Sequence, residues 1–359
     1  MRIIHTGDIH IGSPLKNLPP EKAQLRKTEI IDGFRRLCVY AKDNGVTAVL
    51  IAGDLLDGNR VTGQVKRQVL AFIEQASPVL FFYVAGNHDG WGLESETLPQ
   101  NLCLFSQDNG VGAYRLNENV TVTGMDAGRF STENFDRLRF PQDAFNILVL
   151  HGDAYSEQSR EYIPLQALQN KGIDYLALGH IHIPDVQAKP LDERGRYRYC
   201  GCLEGRGFDE IGGRGFFLLE IQNGQLVNER FLTLAKRSIV GKRVDITACQ
   251  TYFDVENAVF GALANENREN LVKIVLCGGY TPDLKKELSV LTARLNERFF
   301  FARVEDESRL KISPESFVND VTERGEFVRE ALRFNVDEGL REEILEVGLK
   351  ALAGEDIDL

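Results

Sequence analysis

The sequence predicts an α/β fold for roughly its first 180 residues, and three observations carry that expectation. Short apolar runs alternate with longer amphipathic stretches. The runs are unbroken mixtures of Val, Ile, Leu and Phe rather than apolar-polar alternations, as strands buried on both faces are. Each run also closes on a glycine and a small polar cluster, the position where open α/β sheets place their ligand sites.

Taken in order, "MRIIHTGD" is the first such run. "EKAQLRKTEIIDGFRRLCVYAKDNG" then carries Ile30, Phe34, Leu37, Cys38 and Ala41 at helical spacing and stops at Gly45. "VTAVLIAGD", a helical "GQVKRQVLAFIEQ" and "PVLFFYVAGNHD" continue the alternation, and "FNILVLHGD" and "IDYLALGHIH" repeat it. From about Arg196 to Leu234 the pattern turns strand-like in "RYRYCGC", "GRGFFLLEI" and "QLVNERFLTL", which read as closing strands of the same domain. A second, small α/β unit follows. "RVDITA", "LVKIVLCG" and "FFARVED" are its strands; "YFDVENAVFGALANE" and "PDLKKELSVLTARLNERF" are its helices, the latter with Pro282 in its first turn. The last stretch is acidic and helical, with Phe317, Val321, Val328 and Leu332 as one apolar stripe and Ile344, Val347, Ala351 and Leu352 as another. The expected domains are therefore 1–237, 238–313 and 314–359.

Hydrophobic content of 43% and charged content of 26% are those of ordinary globular proteins. No run approaches the roughly 18 apolar residues of a membrane span, and the N-terminus has no secretory pattern. A cytoplasmic protein without membrane association is the expectation. Its six cysteines are scattered in mostly apolar contexts, so Cys200 and Cys202 are expected to pack rather than bind metal. The net charge of −11 argues at first against phosphate-rich partners. Residues 315–359, however, hold 13 acidic and 5 basic side chains, which leaves only −3 for the rest. Charge neither supports nor excludes a nucleic acid.

The polar clusters are "GDIHIG" (Asp8, His10), "GDLLDG" (Asp54, Asp57), "GNHD" (Asn87, His88, Asp89), "LHGD" (His151, Asp153) and "GHIH" (His180, His182). Five of the six histidines fall inside them, a concentration that general core or surface use of histidine would not produce. The donors are carboxylate and amide oxygens and imidazole nitrogens, with no thiolate, a set that suits manganese, iron or zinc. There are too many for one ion. They divide into two sets of four if one carboxylate is shared, and Asp54 is the natural bridge. His88 is then a spare imidazole able to serve as general acid, with Asp89 the candidate to hold its tautomer.

The series D-x-H, GD-x-x-D, GNHD, H, GH-x-H resembles the calcineurin-like metallophosphoesterases over roughly residues 1–235. The resemblance implies a two-sheet β-sandwich core flanked by helices, followed here by a small α/β cap domain and C-terminal helices. It implies one divalent ion on Asp8, His10, Asp54 and His182 and a second on Asp54, Asn87, His151 and His180, manganese being the expected metal. His88 is left as the catalytic acid. Within that superfamily the chain looks most similar to SbcD-type DNA repair nuclease subunits. "GDLLDG" lacks the Arg-Gly typical of phosphoprotein phosphatases, "YCGCLEGRGFDEIGGRGFFLLEI" is similar to the bacterial SbcD-like segment, and a cap follows the catalytic domain. That resemblance implies hydrolysis of DNA phosphodiester bonds by a metal-bound hydroxide, a homodimer, and an SMC-like ATPase partner of the SbcC type. "ESFVNDVTERGEFVREALRF" is placed to contact such a partner or to pack back on its own domain. Arg206 in "LEGRGFDE" reads as an ion-paired turn residue rather than a phosphate ligand. The rival functions are a small-molecule or nucleotide phosphoesterase sharing the whole ligand set, and a non-catalytic assembly subunit.

Overall fold

The computed structural model describes all residues except 90–92, 94–95, 106–111, 127–129, 312–316, 318 and 354–359. The chain divides into two compact units, Met1–Ile239 and Val240–Leu359. The split falls at 239/240, where the sequence reading puts its first boundary at 237/238. The second, at 313/314, lies outside the described residues, and the acidic helices belong to the second unit.

The first unit holds two six-stranded sheets. One contains β1 (Arg2–Thr6), β2 (Ala48–Ala52), β3 (Leu80–Val84), β4 (Leu102–Leu104), β11 (Gly215–Gln222) and β12 (Gln225–Thr233), in the order β12-β11-β1-β2-β3-β4. From β1 to β4 neighbours run parallel, while β11 returns antiparallel to β1. The other contains β5 (Gly112–Asn117), β6 (Val120–Gly124), β7 (Phe145–His151), β8 (Tyr175–Gly179), β9 (Lys189–Pro190) and β10 (Arg196–Tyr199), in the order β5-β6-β7-β8-β10-β9. Here β6, β7, β8 and β10 are parallel. The closing runs seen in sequence thus part company: β10 joins the second sheet, and β11 and β12 join the first.

The sheets pack face to face. Ala48, Leu50 and Ala52 of β2 and Phe82 and Val84 of β3 share one buried cluster with Phe145, Ile147 and Val149 of β7 and Ala177 of β8. The alternate residues are equally buried because helices cover the outer faces. Leu148, Leu150, Leu176 and Leu178 meet Phe135 of α3 (Thr132–Arg137) and Leu168 of α4 (Leu165–Leu168). On the other side α1 (Pro20–Asp43) buries Ile30, Phe34, Leu37, Cys38 and Ala41, as its stripe predicts, and Tyr40 packs on Phe216 of β11. With α2 (Gly63–Gln75) beside α1, the fold is the helix-flanked β-sandwich. Burial on both sides removes the period-two signal, which explains the continuous apolar runs.

In the second unit β13 (Ile239–Asp245), β14 (Leu271–Cys277) and β16 (Phe301–Asp306) form a three-stranded sheet, with β15 (Gly279–Tyr280) and β17 (Arg309–Leu310) as a separate pair. One core joins its Val272, Ile274 and Ala302 to Val255 and Val259 of α5 (Tyr252–Ala262) and Leu291 and Leu295 of α6 (Leu288–Arg298). The expected start of α6 at Pro282 is corrected. Residues 281–287 are not helical, because Leu284 drops into that core and the Lys286 ammonium pairs with Asp306 at 2.5 Å. Both apolar stripes at the C-terminus also need correction. The helix α7 (Glu323–Ala331) starts after Val321, which is exposed, and buries Val328 and Ala331 while Leu332 stays partly exposed. The following α8 (Glu338–Ala353) buries Leu345 and Leu349 rather than Val347, Ala351 and Leu352. Gly348 sets that face: a Cβ there would lie 2.0 Å from the Phe327 ring, so the bare backbone receives Phe327. Among the described residues no helix is long and apolar enough to cross a membrane.

Candidate metal centre

All five clusters lie at or just beyond the carboxyl ends of β1, β2, β3, β7 and β8. The turns after β1 and β2 continue to pair: Asp8 N donates to Gly53 O at 3.0 Å and His10 N to Asp54 O at 2.9 Å. Within them Asp8 (φ +49°), His10 (+51°), Asp54 (+50°) and His180 (+101°) adopt left-handed backbone. Non-glycine residues accept such conformations at a cost of about 1–3 kcal/mol each and concentrate at functional sites. Two glycines make room. A Cβ on Gly53 would lie 2.1 Å from His151 Nδ1, and one on Gly86 would lie 2.2 Å from Asp54 Oδ1.

The side chains converge. Asp54 Oδ2 stands 3.4 Å from His10 Nε2 and 3.4 Å from His151 Nε2, so one oxygen faces an imidazole from each sheet. On one side His10 Nε2 approaches His182 Nε2 at 3.3 Å. On the other, Asn87 Oδ1 lies 3.0 Å from His151 Nε2 and 3.3 Å from His180 Nδ1. Asp8 accepts the His180 amide on both oxygens at 3.0 Å. His151 Nδ1 donates to Ala52 O at 2.9 Å, which directs Nε2 to the centre. Ligand atoms of Asp8, His10 and His182 lie within 4.8 Å of one another, as do those of Asp8, Asp54 and His151. In the latter group the His151 nitrogen recorded near Asp8 is Nδ1, at 3.9 Å, and that nitrogen is already given to Ala52. We therefore take Asp54, not Asp8, as the point where the two halves meet. All seven sequence-derived ligand candidates are thus brought together.

The electrostatics are those of a cation site. Burial pushes Asp8 up to about 6, against the pull of His151 and His182. Burial acts upward on Asp54 too, but the hydrogen bond and charge of His151 outweigh it and hold the carboxyl below its ordinary range. His151 moves in the opposite sense. Burial alone would lower it, yet Asp54 raises it well above a normal imidazole. A proton is thus drawn to Nε2, facing two oxygens, where positive charge is demanded. His10 is pushed down to about 2 by burial and then by the positive charge of Arg206. An imidazole that stays unprotonated keeps its lone pair for a metal. Oxygen and nitrogen donors converging on a centre that attracts positive charge fit divalent cations.

One assignment fails. Asp89 does not hold His88; it is buried, accepts Leu56 N and Gly86 N at 2.7 Å each, and so fixes the turns bearing Asp54 and Asn87. Burial and the charge of Asp54 raise it to about 7. Asp57 takes the place expected of Asp89, with Oδ1 at 3.0 Å from His88 Nδ1. The same His88, half exposed, has its ring 4.9 Å from that of His10 and its amide on Asp54 Oδ1 at 2.8 Å. The sequence did carry the signal, since Asp57 stands three residues after Asp54. Glu210 was missed altogether: its Oε1 lies 2.8 Å from His182 Nδ1. Arg206 is ion-paired to Glu210 at 3.2 Å, as the turn reading expects, but it also touches His182. Cys200 and Cys202 are fully buried and pack, as expected.

The family described as calcineurin-like phosphoesterase matches residues 1–184. The chain is 28% identical over 366 residues to the DNA double-strand break repair protein Mre11 of Haloferax volcanii, covering 98% of this chain and 75% of that one. It is 27% identical over 299 residues to the uncharacterized metallophosphoesterase YhaO of Bacillus subtilis, covering 77% and 72%. It is 23% identical over 290 residues to the SbcD component of the SbcCD nuclease of Staphylococcus epidermidis, covering 65% and 70%.

Proposed function

Because the chain belongs to the calcineurin-like phosphoesterase family, a family of metal-dependent phosphoester hydrolases, we propose that it is a dimetal-dependent phosphodiesterase that cleaves DNA in repair. The observation that carries the dimetal reading is the single oxygen of Asp54 placed equally between His10 and His151. In this reading Asp8, His10, Asp54 and His182 hold one ion, and Asp54, Asn87, His151 and His180 hold the other. Manganese is the proposed metal, because the donors are oxygens and imidazole nitrogens without thiolate. When bound, such a pair would polarise a phosphoryl group and lower the pKa of a bound water.

The chain supplies the rest. With Nδ1–H given to Asp57, His88 presents Nε2 outward, where it protonates the leaving sugar oxygen as general acid. Left-handed turns and intruding glycines hold the ligands before any ion arrives, so little reorganisation accompanies binding. DNA as substrate is supported by relatives named as a DNA double-strand break repair protein and as part of a nuclease. Partnership with an SMC-like ATPase of the SbcC type belongs to the same reading. The inner face of α7 is covered by α8, so such a partner would meet the exposed Val321, Phe334 and Leu340 instead.

The test is to assay the protein with manganese against linear duplex DNA, single-stranded DNA and bis-p-nitrophenyl phosphate in parallel. DNA cleavage that His88→Ala abolishes while both ions remain bound is the expected result. Hydrolysis of the nitrophenyl ester without DNA cleavage would favour a small-molecule phosphoesterase, and a protein that binds no metal would favour a non-catalytic assembly role.

A further inference from the structure

We propose that Glu210, which lies outside every ligand motif, is the positioning residue for one of the two ions. It does this by fixing the tautomer and ring angle of His182. The inference rests on the ligand sets proposed above.

Four observations place Glu210 in that role. Its Oε1 is 2.8 Å from His182 Nδ1, so the ring donates there and turns Nε2 toward His10, 3.3 Å away. Its Oε2 accepts the Arg206 amide at 2.6 Å and the Cys202 thiol at 3.4 Å. The carboxyl is 3% exposed, so solvent does not compete for the oxygen that meets His182. Finally, the ion-paired turn Gly205–Glu210 adds a second anchor, with Arg206 Nη2 on the same Oε1 at 3.2 Å.

His182 needs this support more than its counterpart does. His151 is fully buried and its Nδ1 is fixed by the Ala52 carbonyl. By contrast, His182 has a side chain 27% exposed and follows a strand end by three residues. Arg206 Nη2 is also 2.8 Å from Nδ1 and 3.2 Å from Nε2. If Glu210 were absent, Arg206 could donate to Nδ1 instead. The proton would then sit on Nε2, the nitrogen aimed at the ion, and that nitrogen would no longer be a ligand. Glu210 therefore decides between two tautomers, only one of which binds metal. Partners of metal-ligating histidines typically change affinity by about 10–100-fold when removed.

Manganese stoichiometry and affinity, measured by titration calorimetry and native mass spectrometry, test this without any assay of turnover. The wild type binds two ions. Glu210→Ala is expected to weaken one by about 10–100-fold and to leave the other in place. Glu210→Gln, which keeps an acceptor oxygen, restores much of that affinity. The double variant Arg206→Ala, Glu210→Ala removes the competing guanidinium and its unpaired charge, so it regains part of the affinity lost in Glu210→Ala but stays below the wild type, because nothing then fixes the ring. Should Glu210→Ala fail to fold, Glu210→Gln decides, with a several-fold loss at one ion expected from the lost charge. Two ions bound at wild-type affinity in the variants overturn the inference. A wild type that binds no manganese overturns the dimetal reading instead.

Discussion

His88 Nδ1 lies 3.0 Å from Asp57 Oδ1, and the carboxylate that receives it is almost fully buried while the imidazole is half exposed. A buried acceptor therefore points a solvent-facing ring. General acids contribute roughly 10²–10⁴-fold, and misorienting one forfeits part of that. Asp57→Asn is expected to lower turnover on DNA by about 10–100-fold with manganese binding unchanged. The defect should be much smaller on bis-p-nitrophenyl phosphate, whose leaving group departs without a proton. Equal losses on both substrates, read as kcat, would remove Asp57 from this role.

Gly86 approaches Asp54 so closely that a Cβ would stand 2.2 Å from Oδ1 and 2.6 Å from the Asp54 amide. The amide is backbone, and Oδ1 is held by the His88 amide at 2.8 Å, so neither yields cheaply. Gly86→Ala must displace the turn that carries Asp54, the oxygen between the two halves of the centre. Overpacking of this kind costs about 1–3 kcal/mol. The variant is expected to keep its circular dichroism spectrum, lose a few degrees of melting temperature and bind manganese at least tenfold more weakly. Wild-type affinity in the variant would show that Asp54 is not held where its neighbours place it.

The strands and the convergence of the polar clusters were legible because each rests on a local signal: unbroken apolar runs, and histidines gathered at their ends. The helix starting at Leu288 was not, because the break is made by Leu284 and Lys286 finding partners in a sheet that the local pattern does not describe. The C-terminal stripes failed for a related reason, since a single close approach at Gly348 chose which face of α8 to bury. Asp89 and Asp57 show the same limit within the centre. Adjacency in sequence favoured Asp89 as the partner of His88, but the turn geometry directs that carboxylate inward onto two backbone amides. Glu210 lies 28 residues from His182, and nothing in the chain between them marks the pair.

Four proposed ligands, Asp8, His10, Asp54 and His180, sit in left-handed backbone. Bound cations should hold these turns closed, since a ligand at a hundred times its Kd stabilises by about 2.7 kcal/mol. Manganese is therefore expected to raise the unfolding midpoint of Met1–Ile239 by several degrees, and a chelator to reverse the gain. Hydrogen exchange locates the effect. Amides near residues 7–12, 53–57 and 180–182 should slow on loading, while those of Val240–Leu359 should not change. Uniform slowing of both units would argue that the cation acts elsewhere.

His5 is the one histidine outside the clusters, and it gives the first unit an acid-sensitive core. It is fully buried in β1, 2.9 Å from the Tyr175 hydroxyl. Burial first, and the positive charge of Arg198 second, push its pKa down to about 3 from an ordinary 6.5, against a smaller pull from the Leu178 backbone. Between those values the unfolded chain binds a proton that the folded one refuses. The stabilisation is complete above pH 6.5 and is lost as pH falls toward 3, at about 1.4 kcal/mol per pH unit. His5→Phe keeps the site apolar and removes that proton. Urea unfolding of metal-free protein at pH 7, 6 and 5 should show a shallower loss of stability in the variant than in the wild type, by close to one proton's slope. Because the titrating groups of the metal centre are common to both proteins, the difference isolates His5. Parallel curves would mean that His5 is protonated in the folded core, and the neutral pairing with Tyr175 would have to be given up.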